Sequence, residues 1–91
     1  MAMIAVWLKI DEDRVVQALR DACENLDNTE GELVLDSSSV YRIDPSALRA
    51  MEKLADMADD KAVKVVLHGV NVDIYKVLKL VNLTRRFSFV T

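Results

Sequence analysis

Cysteine, histidine, proline and tryptophan occur once each in this 91-residue chain, and glycine only twice. Each scarcity excludes something. A single cysteine cannot close an internal disulfide. Cys23 falls with Val15, Leu19, Ala22 and Leu26 on one stripe of an amphipathic helix, which marks it as an inert core thiol. With only Gly31 and Gly69, no glycine-rich loop exists to cradle phosphates, so nucleotide hydrolysis has no visible machinery. His68 ends an apolar strand beside Gly69, and no Ser/His/Asp or Cys/His spacing singles it out as a base. It reads as structural or solvent-facing. No apolar run approaches the roughly 20 residues that span a bilayer, and no signal-peptide pattern opens the chain. A cytoplasmic protein without membrane insertion is therefore expected. The formal net charge is −3, and Arg85-Arg86 is too short a basic patch for a nucleic-acid footprint. Asp11-Glu12-Asp13 and Asp59-Asp60 are explained better by helix caps and solvated turns than by a divalent cation. Neither a metal nor another cofactor is expected, and no enzyme signature stands out.

What is present is apolar periodicity, carried by a composition that is 52% hydrophobic. A chain of this length can bury one core and little more, so residues 1–91 read as a single domain. Residues 4–10 read as a strand, with Asp11 to Asp13 supplying capping carboxylates for the helix that follows. Asn28-Thr29-Glu30-Gly31 breaks the pattern. Residues 32–36 form a second strand, 45 to about 58 a second helix with Leu48, Met51, Leu54, Ala55 and Ala58 on one face, and 62–68 a third strand. Ile74, Val77, Leu78 and Val81 space a third helix, and residues 87–90 give a short last strand. Strand and helix alternate three times before the final strand. That order predicts an α/β fold, a mostly parallel four-stranded sheet with about three helices packed on it.

Alternation in the first strand sets Val6, Leu8 and Ile10 on one face and Ala5, Trp7 and Lys9 on the other. If helices cover the first set, Trp7 stays partly exposed. Val34, Val66 and His68 would share its face, an apolar patch open to a partner or to a second copy of the chain. Coverage of Trp7 by its own chain is the competing reading. An uncovered first strand would also offer an edge for pairing, which again favours a homodimer.

The segment from Leu33 to Leu48 is the most specific. It passes from an apolar strand through a serine-rich loop to Asp44-Pro45, a helix-start pair. Aspartate is a favoured N-cap, and proline at the next position gives up only an N–H that the first turn would leave unpaired. Ser46 then stands near the second helical position, where a phosphate would meet free N–H groups and the positive end of the helix dipole. Serine is also common in first turns for purely local hydrogen-bonding reasons.

This segment resembles the STAS domain of bacterial anti-sigma factor antagonists, at Leu35, Asp36, Ser38, Val40, Ile43, Asp44, Ser46 and Leu48. Residues 74–83 resemble the last helix of that family, with Asn82 at the position of its closing glycine. The resemblance implies a STAS-like fold of βαβαβαβ order and places the phosphoacceptor serine at Ser46. It implies a non-enzymatic regulator that binds an anti-sigma factor with serine kinase activity. The docking surface would run from Asp36 to Arg49, with Asp36, Ser38, Asp44, Ser46 and Arg49 as partner-binding residues. Pro45 and Ala47 depart from the family pattern on either side of the acceptor. Those departures leave open a second reading, a constitutive STAS subunit of a membrane lipid-transport ATPase complex.

Overall fold

The structure, a computed structural model, describes residues 4–29 and 31–90. Its order is β1 (Ile4–Lys9), a 3-10 turn (Glu12–Arg14), α1 (Val15–Asn25), a second 3-10 turn (Leu26–Asn28) and β2 (Gly31–Asp36). Then come α2 (Pro45–Asp60), β3 (Lys64–His68), α3 (Val72–Leu80) and β4 (Ser88–Val90). The strands lie in the sheet in chain order, β1-β2-β3-β4, and every neighbouring pair is parallel. This is the alternating α/β fold expected from the sequence, with the sheet wholly rather than mostly parallel.

Strand order decides where the helices go. Parallel neighbours are joined by right-handed crossovers, and when each strand is laid beside the last, every crossover falls on the same face. The core obeys that rule. Leu33 and Leu35 of β2 align with Val65 and Leu67 of β3, and all four join the buried cluster with Leu19, Leu54 and Leu78 of the three helices. The largest fully buried side chains are all leucines, each worth about 1.5–3 kcal/mol on leaving water. Val34 and Val66, one residue out of phase, are buried yet lie outside this cluster.

The opposite face holds the second set. Trp7 is 60% exposed, as the alternation predicts. Val34 and Val66, expected to form an open patch with it, are only 5% and 6% exposed. The Trp7 and His68 rings explain much of the difference: they stand on the strands flanking β2, with centroids 5.6 Å apart, and so meet above it. The apolar floor is roofed by two rings, not bare.

Helix ends show which local rules operate. Asp44 caps α2 with its Oδ1 accepting from Ala47 N at 2.8 Å, and Asn71 caps α3 in the same way through Ile74 N, also 2.8 Å. The acidic run before α1 behaves otherwise. Asp11 makes no side-chain cap bond, α1 begins after an uncapped Arg14, and Glu12 Oε2 instead accepts from Tyr41 N at 2.9 Å. The carboxylate expected as a cap is drawn to a donor 29 residues away.

α2 and α3 end with one C-terminal device. Val63 N donates to Ala58 O and Ala62 N to Asp59 O after α2; Leu83 N donates to Leu78 O and Asn82 N to Lys79 O after α3. The pivot residue is left-handed in each, Ala62 at φ 55° and Asn82 at φ 61°. These are Schellman closures, with buried Val63 and Leu83 as the apolar contacts that follow. Asn82 stands where the family resemblance puts a glycine, and asparagine tolerates this conformation. Ala62 carries a Cβ where the conformation favours its absence.

Candidate functional site

The carboxyl ends of β1, β2 and β3 open onto the β1-α1, β2-α2 and β3-α3 connections, which gather at one end of the sheet. Ser46 lies on the first turn of α2 at this end and is exposed. Its hydroxyl is not the cap, because Asp44 fills that role, and Arg49 Nη2 donates to Ser46 Oγ at 3.5 Å. A serine one turn before an arginine, both facing solvent, leaves the oxygen accessible with a cation beside it.

Asp36 and Ser38 form a second unit at the end of β2. Asp36 Oδ1 accepts from Ser38 N at 3.1 Å and from Ser38 Oγ at 2.6 Å. These bonds, the hydroxyl's foremost, hold the Asp36 carboxyl below its ordinary value of 3.8. His68 Nδ1 lies 4.0 Å from the same oxygen and is a buried atom with no hydrogen-bond partner among the described residues. The imidazole is thus a half-exposed neighbour of the turn and is not oriented by a carboxylate as a catalytic base would be. Ser37 N donates to His68 O at 2.8 Å and so ties the turn to β3.

Gly69 makes the turn possible. Its φ is +75°, and a Cβ there would stand 2.9 Å from the Ser38 Cβ. Only glycine provides both the conformation and the room.

The structure brings Asp44, Ser46 and Arg49 together on the first turns of α2, while Asp36 and Ser38 form their own cluster at the end of the adjoining strand. Asn71 and Val72, which sequence reasoning did not place, adjoin these clusters together with Tyr41, which lies inside the Asp36 to Arg49 span. Asn71 Nδ2 donates to Val40 O at 3.2 Å, which draws the start of α3 against the loop before α2. Tyr41 and Val72, on either side of that bond, are 69% and 67% exposed. A polar residue directly before an apolar helical repeat signalled Asn71 as a cap; nothing local signalled that its amide reaches another loop.

Below Ser46 an open groove runs between α1 and α2, lined by Arg20, Cys23, Arg49, Lys53 and Met57. Cys23 is half-buried along this groove, where the sequence places it in the core. Partial burial pushes its thiol pKa up, so it is protonated at neutral pH and a poor nucleophile. Among the described residues, no three histidine, cysteine or carboxylate side chains gather as a metal site. None of the described helices is long and apolar enough to cross a membrane.

Known structures share this architecture. A candidate anti-sigma factor antagonist from Thermotoga maritima matches with a TM-score of 0.76 and 19% identity, covering 97% of this chain and 81% of its own. A sulfate transporter family protein from Wolinella succinogenes gives 0.79 and 16%, covering 98% and 80%. The Bacillus cell-fate determinant SpoIIAA in its phosphorylated form gives 0.64 and 13%, covering 98% and 81%. At such identities the likeness is one of fold. No curated protein matches the sequence significantly. The sequence itself matches the STAS domain over residues 9–91, which is nearly all of it. On that match and on the shared architecture, the chain belongs to the STAS domain family.

Proposed function

We propose that this chain is a non-enzymatic, cytoplasmic protein-binding regulator, an anti-sigma factor antagonist whose docking to an anti-sigma factor with serine kinase activity is switched at Ser46. One observation carries the reading: Ser46 is an exposed first-turn hydroxyl that the fold does not need, because Asp44 caps the helix in its place. A phosphate on Ser46 adds about two negative charges to this surface while the α2 backbone stays as it is. Arg49, already beside the hydroxyl, gives that phosphate a cation to settle on. Asp36 and Ser38 shape the adjoining part of the docking surface. Family membership and the fold of the Thermotoga protein support the reading.

The test is a pull-down from extract of the source cells with tagged wild type and Ser46→Asp, bound proteins being identified by mass spectrometry. Wild type captures a kinase-type anti-sigma factor and Ser46→Asp loses it, whereas Ser46→Ala keeps the partner and takes up no phosphate from ATP. Equal binding by wild type and Ser46→Asp removes the switch.

Pro45 and Ala47, which flank the acceptor against the family pattern, favour a second reading. A permanent STAS subunit of a lipid-transport ATPase complex needs no kinase site. Retention of a transporter ATPase by both wild type and Ser46→Asp is its signature.

A further inference from the structure

The helix-free face of the sheet is self-complementary. Its residues fall in three rows set by the strand register. Glu32 lies beside Lys64; Trp7, Val34, Val66 and Ser88 follow one another across the middle; Lys9, Asp36, His68 and Val90 make the third row. Glu32 and Lys64 sit 3.8 Å apart within the chain. An apolar row thus lies between two mixed-charge rows, with the one tryptophan of the chain exposed at its end.

Two sheets stacked face to face about a two-fold axis have two aligned choices. With the axis across the strands, Glu32 faces the second copy's Asp36 and Lys64 faces its His68, so two carboxylates meet. With the axis along the strands, midway between β2 and β3, each strand faces its mirror position in the order. Glu32 then meets the second copy's Lys64, Asp36 meets its His68, Trp7 lies over its Ser88 above the buried valines, and Lys9 lies over its Val90. The Glu32–Lys64 contacts are complementary in charge, and each contact occurs twice.

We propose that this face is the interface of a homodimer with its two-fold axis along the strands. Strands of six, six, five and three residues, rising about 3.3 Å per residue and lying about 4.8 Å apart, present roughly 320 Å² in projection. That is well below the roughly 800 Å² per partner of a standard stable interface, so the dimer is a weak, transient one that populates only at high protein concentration. The face is separate from Ser46, which lies on a helix of the opposite layer and stays accessible in the dimer.

Wild-type protein is taken through a concentration series in sedimentation velocity, with tryptophan fluorescence read on the same samples. The expected result is a monomer–dimer equilibrium, with Trp7 emission moving to shorter wavelength as dimer forms. Glu32→Lys and Lys64→Glu, at accessible surface positions, each raise the dissociation constant by about tenfold or more. Mixing these two variants restores the dimer, because one chain presents two lysines and the other two glutamates. Trp7→Ser, a variant with no charge change, also weakens association. A monomeric wild type with concentration-independent emission overturns the proposal, as does a dimer indifferent to the charge reversals or not regained on mixing.

Discussion

The two faces of this sheet are built from the same strands and meet different fates. On one, Leu33, Leu35, Val65 and Leu67 lie beneath three helices and are at most 3% exposed. On the other, Val34 and Val66 reach almost the same burial beneath nothing thicker than the side chains of neighbouring strands. Low exposure alone therefore does not identify a core. What distinguishes the faces is whether a second layer of backbone locks the covering in place, and that is decided by topology. A strand order that follows the chain commits every helix to one side.

Substitution on adjacent residues of β2 gives the largest contrast. Leu35→Ala should cost about 2–5 kcal/mol, because rigid helices around it cannot collapse into the cavity. Val34→Ala should cost about 1.6 kcal/mol, the transfer of two methyl groups alone, since side chains and water can refill an unlayered face. Denaturant unfolding of both variants checks this, and equal losses would mean that the second face is as firmly packed as the first.

Gly69→Ala follows, at the rim where the two faces meet. The left-handed backbone and the approach to Ser38 make a loss of about 1–2 kcal/mol the expected result, read from the thermal midpoint. Ala62→Gly runs in the other direction. Relief of the left-handed alanine at the end of α2 should stabilise the fold by about 1 kcal/mol, whereas Asn82→Gly should gain only a fraction of that.

The smallest effect belongs to Asp36 on the helix-free face. Its carboxyl pKa is lowered in the folded state, so its contribution is complete above the ordinary value of 3.8 and is lost as pH falls through the lower folded value. Stability measured down an acid series should decline across that window. Asp36→Asn should flatten this part of the curve while leaving the neutral region nearly flat.

These contrasts also mark how far sequence reasoning reached. Alternation of two-residue and helical periods carried the α/β order, and Asp44-Pro45 and Asn82 carried two helix boundaries, because each is a matter of neighbouring residues. The acidic run before α1 misled for the complementary reason. A carboxylate there can cap locally or reach across space, and only the folded chain shows Glu12 bound to the Tyr41 amide. Arg86 is a parallel case. In sequence it is half of a short basic pair; in the structure its guanidinium bridges Asp56 at 2.8 Å and Asp59 at 2.7 Å, tying the approach to β4 onto α2. Of the candidate site, Ser46, Asp44 and Arg49 were legible because they follow one another along the start of α2. Val72 was not, because the Asn71 bond that sets it beside Tyr41 joins loops 31 residues apart.

Strand order has a further consequence for how the molecule assembles. Parallel sheets are commonly slow to fold because their ladders join residues far apart in the chain. Here no ladder waits for more than one intervening helix, so each strand docks on the one laid down just before it. A ribosome releasing the chain from its amino end would deliver the units in the order in which they pair. The three residues of β4 follow the other three strands and have a single partner strand among the described residues, so their amides should be among the first strand amides to exchange with solvent deuterium.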